Sequence, residues 1–170
     1  NCVCQDSLIN FEGTNNNYIA NSNSISNCSN GSGPSSANIM YINAKTTTIQ
    51  DNTITFTTVD EACRTFRIFN NEKTILMGNQ ITNANINTDS SENGIGAYIS
   101  GTNTANPVTI SGCTFTTCGK TGGLYVVIFN VPKFEFTFNK ITFSDSLTSC
   151  GCVSSIRSTE LVYTNNVFEN

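Results

Sequence analysis

Apolar and polar residues alternate along this chain in short bursts, and the bursts recur. Val108-Thr109-Ile110-Ser111 and Phe134-Glu135-Phe136-Thr137 are typical. Alternation over four to eight residues marks a half-buried strand, because successive side chains leave a strand on opposite faces. The bursts share a phrase: an apolar or small residue, two variable residues, an Asn, one residue, then Ile or Phe. It occurs as Ala20-x-x-Asn23-x-Ile25, Ile49-x-x-Asn52-x-Ile54, Leu76-x-x-Asn79-x-Ile81, Ile110-x-x-Cys113-x-Phe115, Phe136-x-x-Asn139-x-Ile141 and Tyr163-x-x-Asn166-x-Phe168. The anchors lie 29, 27, 34, 26 and 27 residues apart. A period in that range is the signature of a repeat architecture.

The segments between anchors repeat too. A strand is predicted before each anchor (46–50, 74–77, 108–111, 134–138, 161–164), and a second after it (53–57, 80–84, 114–117, 140–144). A third follows a variable polar loop (37–42, 65–69, 95–100, 124–129, 153–156). At the start, 8–11 reads as a third-side strand, 13–17 as a turn and 18–22 as the strand into Asn23. Three short strands and three turns per repeat predict an all-β, right-handed, three-sided parallel β-helix of about six coils, with residues 1–170 forming one segment. The apolar residues flanking each anchor are five apart. Both point inward only if the backbone bends between them. Asn tolerates the left-handed conformation that makes such a bend, so the anchor itself is expected to supply it. Stacked amides about 4.8 Å apart would then hydrogen-bond as a ladder through Asn23, Asn52, Asn79, Asn139 and Asn166. Incomplete coils at both ends suggest a segment of a longer solenoid, or ends that stack on a partner.

Composition narrows the picture. Charged residues make up only 12% of the 170, about half the usual share for a globular domain. Without pattern that would suggest disorder; with it, an ordered β protein follows. A net charge of −4 with no basic cluster argues against a nucleic-acid partner, and no run is long and apolar enough for membrane insertion. There are eight Cys and no His. Cys2-x-Cys4 and Cys150-x-Cys152 are too tight for zinc knuckles, so disulfides in an oxidising compartment are the expected use. Two sequons, at Asn27 and Asn30, point the same way, to a secreted glycoprotein. In phase, Cys2, Cys4, Cys28, Cys63, Cys118, Cys150 and Cys152 fall in or beside the loop before the third strand. Cys118 with Cys150 or Cys152 is the favoured pair, then Cys28 with Cys4 or Cys63. Cys113 takes an Asn slot and reads as a buried free thiol.

The arrangement resembles the pectin-lyase-like right-handed β-helices, which carry an Asn ladder at the second turn. Locally, Ile110–Val126 looks like the Gly-Gly-Ala-Ile repeats of polymorphic outer-membrane proteins and related protist surface proteins. Gly122-Gly123-Leu124-Tyr125 stands at their Gly-Gly motif, and Phe136-Thr137-Phe138-Asn139 at their Phe-x-x-Asn element; Gly94-Ile95-Gly96-Ala97 is a looser match. The resemblance implies a secreted or cell-surface protein serving adhesion or forming a stalk. Enzymes of the pectin-lyase-like class use clustered carboxylates, with Ca2+ and an Arg or Lys base, on the third-side face.

Candidate chemistry is sparse. Asp60 and Glu61, with Arg64 and Arg67, form the one concentration of charge on the expected loop and strand. Neighbouring repeats add only Glu92 and Lys120. Metal-assisted chemistry needs several converging oxygen ligands, and glycoside hydrolysis needs two carboxyls about one bond. Neither can be assembled, so no catalytic residue, metal or cofactor is assigned. Without His, Ser-His and Cys-His catalysis are excluded for this chain alone. The other candidate is the outward face of the third-side strands. If Ile39, Phe66, Ala97, Leu124 and Val153 point in, then Met40, Arg67, Tyr98 and Tyr125 point out, with Ile42, Phe69, Val127 and Phe129 close to outward. Arg67, Tyr98, Tyr125 and Val127 are therefore the expected binding residues. Cover by a loop or by a partner fits such a face equally. Ice binding through the Thr-rich stretch 46–58 is disfavoured, because its outward Thr do not recur in one column. The expectation is a non-catalytic extracellular structural or adhesive β-helix, contacting itself, another surface protein or a glycan. The alternative is a carbohydrate-binding or polysaccharide-active domain centred on residues 60–67.

Overall fold

The computed structural model describes residues 2–4, 7–30, 37–56, 63–69, 72–83, 85–86, 97–101, 107–120, 123–129, 131–143 and 150–169. At 2–4, 27–30, 37–38, 63–64, 85–86, 117–120, 123–129, 143 and 150–156 the backbone alone is described. All regular structure among these residues is strand, and all of its pairing is parallel. Parallel neighbours separated by a repeat length make an all-β solenoid, a parallel β-helix.

Behind Cys2–Cys4, the strands after the anchors stack in chain order: Ser24–Asn30, Thr53–Phe56, Gln80–Thr82, Thr114–Lys120, Lys140–Phe143 and Val167–Glu169. A short strand, Asn85–Ile86, pairs with the end of Thr114–Lys120. The remaining strands form one 10-stranded sheet. Its centre is Ala37–Gln50, a strand of 14 residues. Cys63–Phe69, Ala97–Ser100, Gly123–Phe129 and Cys150–Ile156 continue from its first half. Lys73–Met77, Val108–Ser111, Lys133–Thr137 and Glu160–Thr164 continue from its second half. Ser7–Asn21 pairs along both halves, with an irregular register between Gly13 and Asn17.

The first and third sides are therefore continuous at 7–21 and 37–50, where turns were expected at 13–17 and after Ile42. At the second site Ala44, between the half that pairs with Cys63–Phe69 and the half that pairs with Lys73–Met77, is fully buried. Cys2–Cys4, an additional strand, covers Cys28–Asn30.

The core is a set of rows running along the stack. Met40, Phe66 and Ala97 form one row; Ile42, Ile68 and Ile99 the next. Ile49, Leu76, Ile110 and Phe136 form a row on the first side. Ile54, Ile81, Phe115 and Ile141 form the row after the anchors. All are fully or almost fully buried. Each such side chain contributes about 1.5–3 kcal/mol relative to leaving it in water.

The bend at the anchor is not made by the Asn. The left-handed residue is the one before it: Ser22, Asp51, Gly78, Gly112, Phe138 and Asn165, each with φ between 54° and 62°. This corrects the expectation from the sequence. The bend is still one left-handed residue, but placing it one position earlier turns the Asn side chain inward. The amide then becomes a core group and the bend residue faces out. Asn83 and Arg157 make similar left-handed exits from other strands.

Candidate functional site

The ladder of inward amides holds the faces in register. Asn52 and Asn79 are fully buried and Asn139 nearly so. Asn23 donates both its backbone N–H (2.9 Å) and its Nδ2 (2.8 Å) to Asn52 Oδ1. Asn52 donates in the same way to Asn79 Oδ1 (3.1 and 3.0 Å), and Asn139 to Asn166 Oδ1 (2.9 and 3.1 Å). Each Nδ2 also donates to a carbonyl of the preceding repeat: Asn52 to Ala20, Asn79 to Ile49, Asn139 to Ile110 and Asn166 to Phe136, at 2.7–2.9 Å. A buried amide with its donors and acceptor satisfied costs little and fixes register; left unsatisfied it would cost several kcal/mol.

Cys113 interrupts this pattern. Its backbone N–H reaches Asn139 Oδ1 at 2.9 Å, but its Sγ makes only long contacts, with Asn79 Nδ2 (3.8 Å), Leu76 O (3.7 Å) and Ser111 O (3.6 Å). It is a free, buried thiol. Burial pushes its pKa up from 9.0 to about 11, against the lowering effect of hydrogen bonds from Asn79. A protonated, inaccessible thiol is a poor nucleophile, so Cys113 is a packing residue.

On the outward face of the third side, register sorts the candidates. Tyr41, Arg67, Tyr98 and Val127 share one row. Met40, expected to point out, is fully buried and aligned with Phe66, and Ile42 is buried as well. The variable loop before the strand hides the register, and a slip of one residue exchanges the two faces. Leu124, expected to align with Ala97, is replaced there by Val126. Tyr125 therefore lies two positions upstream of Val127; both belong to Gly123–Phe129, where only the backbone is described.

Tyr41, Phe69 and Tyr98 form a run of half-buried rings with centroids 5.6 and 5.7 Å apart, all tilted. The Arg67 guanidinium lies 5.8 Å from the Tyr41 ring centre and 5.0 Å from that of Phe69. That range gives a cation–π attraction of about 0.5–2 kcal/mol. Arg67 Nε is buried and has no hydrogen-bond partner among the described residues. The structure thus brings Arg67 and Tyr98 together and adds Tyr41 and Phe69. Tyr41 was missed because Met40 was given its place. Its signal was present in the phase of Tyr41, Arg67 and Tyr98 counted back from the following strands.

The remaining candidates lie elsewhere. Asp60, Glu61 and Glu92 fall outside the described residues; Arg64 sits opposite Asn38 by backbone register. Asn27 and Asn30 lie in Ser24–Asn30, with Asn30 opposite Cys4. No disulfide is present among the described side chains, and the side chains of the seven other cysteines lie outside them. By backbone register Cys2, rather than Cys4, is opposite Cys28, because Cys2–Cys4 pairs from its first residue. Cys118 is opposite Phe143, Cys63 opposite Ala37 and Cys150 opposite Gly123.

Exposed charges pair along the stack. Lys133 Nζ lies 2.8 Å from Glu160 and 3.3 Å from Glu135, and hydrogen bonds to these carboxylates, Glu160 first, raise its pKa. Lys140 pairs with Glu169 at 2.9 Å. These pairs are solvated and hold neighbouring strands in register rather than forming a reactive site. Comparison with protein-family models, with curated proteins and with solved structures gave no match.

Proposed function

We propose that this chain is a non-catalytic extracellular structural or adhesive protein. In this reading it is six coils of a right-handed, three-sided, pectin-lyase-like β-helix, stapled by disulfides and glycosylated at Asn27 or Asn30. Its third-side face is offered to a partner. The observation that carries the reading is the outward run Tyr41, Phe69 and Tyr98 with Arg67 lodged against it. Rings and a guanidinium packed together on a parallel sheet are pre-ordered, so contact with them costs little side-chain entropy. Tyr and Arg are also the residues that most often dominate binding energy. The eight cysteines support an oxidising compartment.

A glycan is the second reading, and Arg67 favours it. A buried Nε without a partner among the described residues, beside aromatic faces, suits a ligand that brings oxygen acceptors and apolar ring faces together. The test is binding to arrays of immobilised glycans and extracellular-matrix proteins, comparing the chain with the double variant Arg67→Ala, Tyr98→Ala. Matrix-protein binding lost in the variant supports the first reading, and glycan binding lost in it the second. Binding that is equal in both removes the face from the account. Release of reducing ends from a panel of polysaccharides would overturn the non-catalytic assignment.

A further inference from the structure

Around Arg67 the sheet register assembles a patch that is neutral except for the guanidinium. Tyr41, Arg67 and Tyr98 lie side by side on the neighbouring strands Ala37–Gln50, Cys63–Phe69 and Ala97–Ser100. Asn43, Phe69 and Ser100 lie side by side two residues further along the same strands. All six are half-buried, and the residues between the two rows, Ile42, Ile68 and Ile99, are fully buried. Alternation therefore turns the six side chains to one outward face. Aromatic residues stand on both sides of Arg67 and ahead of it, and Asn43 and Ser100 take the two diagonal positions.

The charge of Arg67 is handled unlike that of the lysines. Lys45 pairs with Glu72, Lys133 with Glu135 and Glu160, and Lys140 with Glu169. Among the described residues no carboxylate pairs with Arg67. Glu12, opposite Asn43, is the described acid in these rows, and strand spacing puts it about 12 Å from Arg67. The guanidinium has thus exchanged part of its hydration for ring faces without gaining an anion. A carboxylate matches its planar fork with two parallel charge-assisted hydrogen bonds, stronger than those to neutral oxygens.

The surroundings indicate what carries the carboxylate. Ring faces receive C–H and methyl groups, and an amide and a hydroxyl receive sugar hydroxyls or an acetamido group. One cation suits one charge. A polyanion, whether a sulfated glycan or a polyuronate, is held by a row of cations. Here its further charges would lie over neutral rings or beside Glu12, on a chain of net charge −4. The ligand that fits is a sugar at the end of a glycan, with a single carboxylate and an acetamido or polyhydroxyl branch.

We infer that the face around Arg67 binds a terminal sialic acid. The carboxylate meets the Arg67 guanidinium, the acetamido methyl and glycerol chain lie against the Tyr41 and Tyr98 rings, and Asn43 and Ser100 serve the hydroxyl and amide groups. The inference rests on the glycan reading above, and it names the sugar.

The experiment is surface plasmon resonance on the immobilised chain with sialyllactose, its carboxyl methyl ester, lactose and oligogalacturonate. Sialyllactose is expected to bind at least about 10-fold more tightly than the ester or lactose, and oligogalacturonate no better than lactose. Arg67→Ala is expected to lower sialyllactose affinity by about 30-fold or more. Arg67→Lys keeps the charge but loses the fork, and is expected to lower it by about 10-fold. Circular dichroism and cooperative unfolding check each variant. The ester comparison needs no variant, so it decides even where a substitution unfolds the chain. Equal binding of sialyllactose and its ester, tighter binding of oligogalacturonate, or undiminished binding by a folded Arg67→Ala would overturn the inference. Neutral array glycans bound by the chain and lost in the Arg67→Ala, Tyr98→Ala variant, with sialyllactose no better than lactose, overturn it and leave the glycan reading standing. An array on which no glycan is bound removes both.

Discussion

The Asn52 and Cys113 positions occupy the same slot of the repeat and solve it differently. Asn52 sends Nδ2 to Ala20 O, Gln50 O and Asn79 Oδ1 at 2.8–3.0 Å and accepts two donors from Asn23. Cys113 fills the volume, but its sulfur lies 3.6–3.8 Å from its three polar neighbours. Both are buried. The difference teaches that the slot is set by the left-handed residue before it and by the apolar rows on either side. The amide adds polar continuity to a bend that exists without it.

Breaking the amide where it is complete should have the largest effect. Asn52→Ala strands the Asn23 donors and the Ala20 and Gln50 carbonyls, and is expected to cost about 3–5 kcal/mol in denaturant unfolding. Cys113→Ala at the weak rung is expected to cost less. Equal losses would show that the ladder adds nothing beyond volume.

The thiol also gives the Cys113 rung a pH dependence that the Asn rungs lack. Its pKa is about 11 when folded against 9.0 ordinarily, so between those values the folded chain holds more protons than the unfolded chain. The contribution is complete below pH 9.0 and is lost as pH rises through about 11. A shift of that size corresponds to roughly 3 kcal/mol. Stability measured from pH 8 to 11.5 should fall more steeply for the native chain than for Cys113→Ala. Parallel curves would mean that the site relaxes when the thiolate forms.

The bend residue should matter at every rung, including that of Asn79, which lies between the two. Gly78 has φ 62° and an added Cβ would press on the Asp51 carboxylate, whose flexible end can move away. Gly78→Ala is expected to cost about 1–2 kcal/mol, almost all of it from the left-handed backbone. A loss below 0.5 kcal/mol, on the order of an ordinary surface change, would show that the turn relaxes. The smallest effect is a gain. Cys113→Asn should complete the ladder between Asn79 and Asn139 and stabilise the fold by about 1 kcal/mol. Destabilisation would show that the slot at 113 is too tight for an amide.

Much of the fold was legible because it repeats. Each strand after an anchor was readable from the Ile or Phe two residues beyond it, and the inward ladder from five Asn at matched phase. The left-handed residue was harder to see. Ser, Asp, Gly, Gly, Phe and Asn occupy that position, and only Gly78 and Gly112 advertise positive φ. Phe138 held left-handed and 64% exposed runs against every local preference; the repeat imposes it. The outward row was half legible. Arg67 and Tyr98 were found, whereas Met40 was exchanged for Tyr41 because the preceding loops differ in length.

By itself the sequence determined the period, the strand content and which residues fill the rows after the anchors. These follow from local rules: alternation by twos, and one polar residue recurring between apolar ones. Tertiary structure decided the register of the third side, the fusion of two sides into one sheet through Ala37–Gln50, and the union of Tyr41, Phe69 and Tyr98 around Arg67. Those depend on contacts between residues about a full repeat apart, where a shift of one position costs nothing locally and exchanges inside for outside.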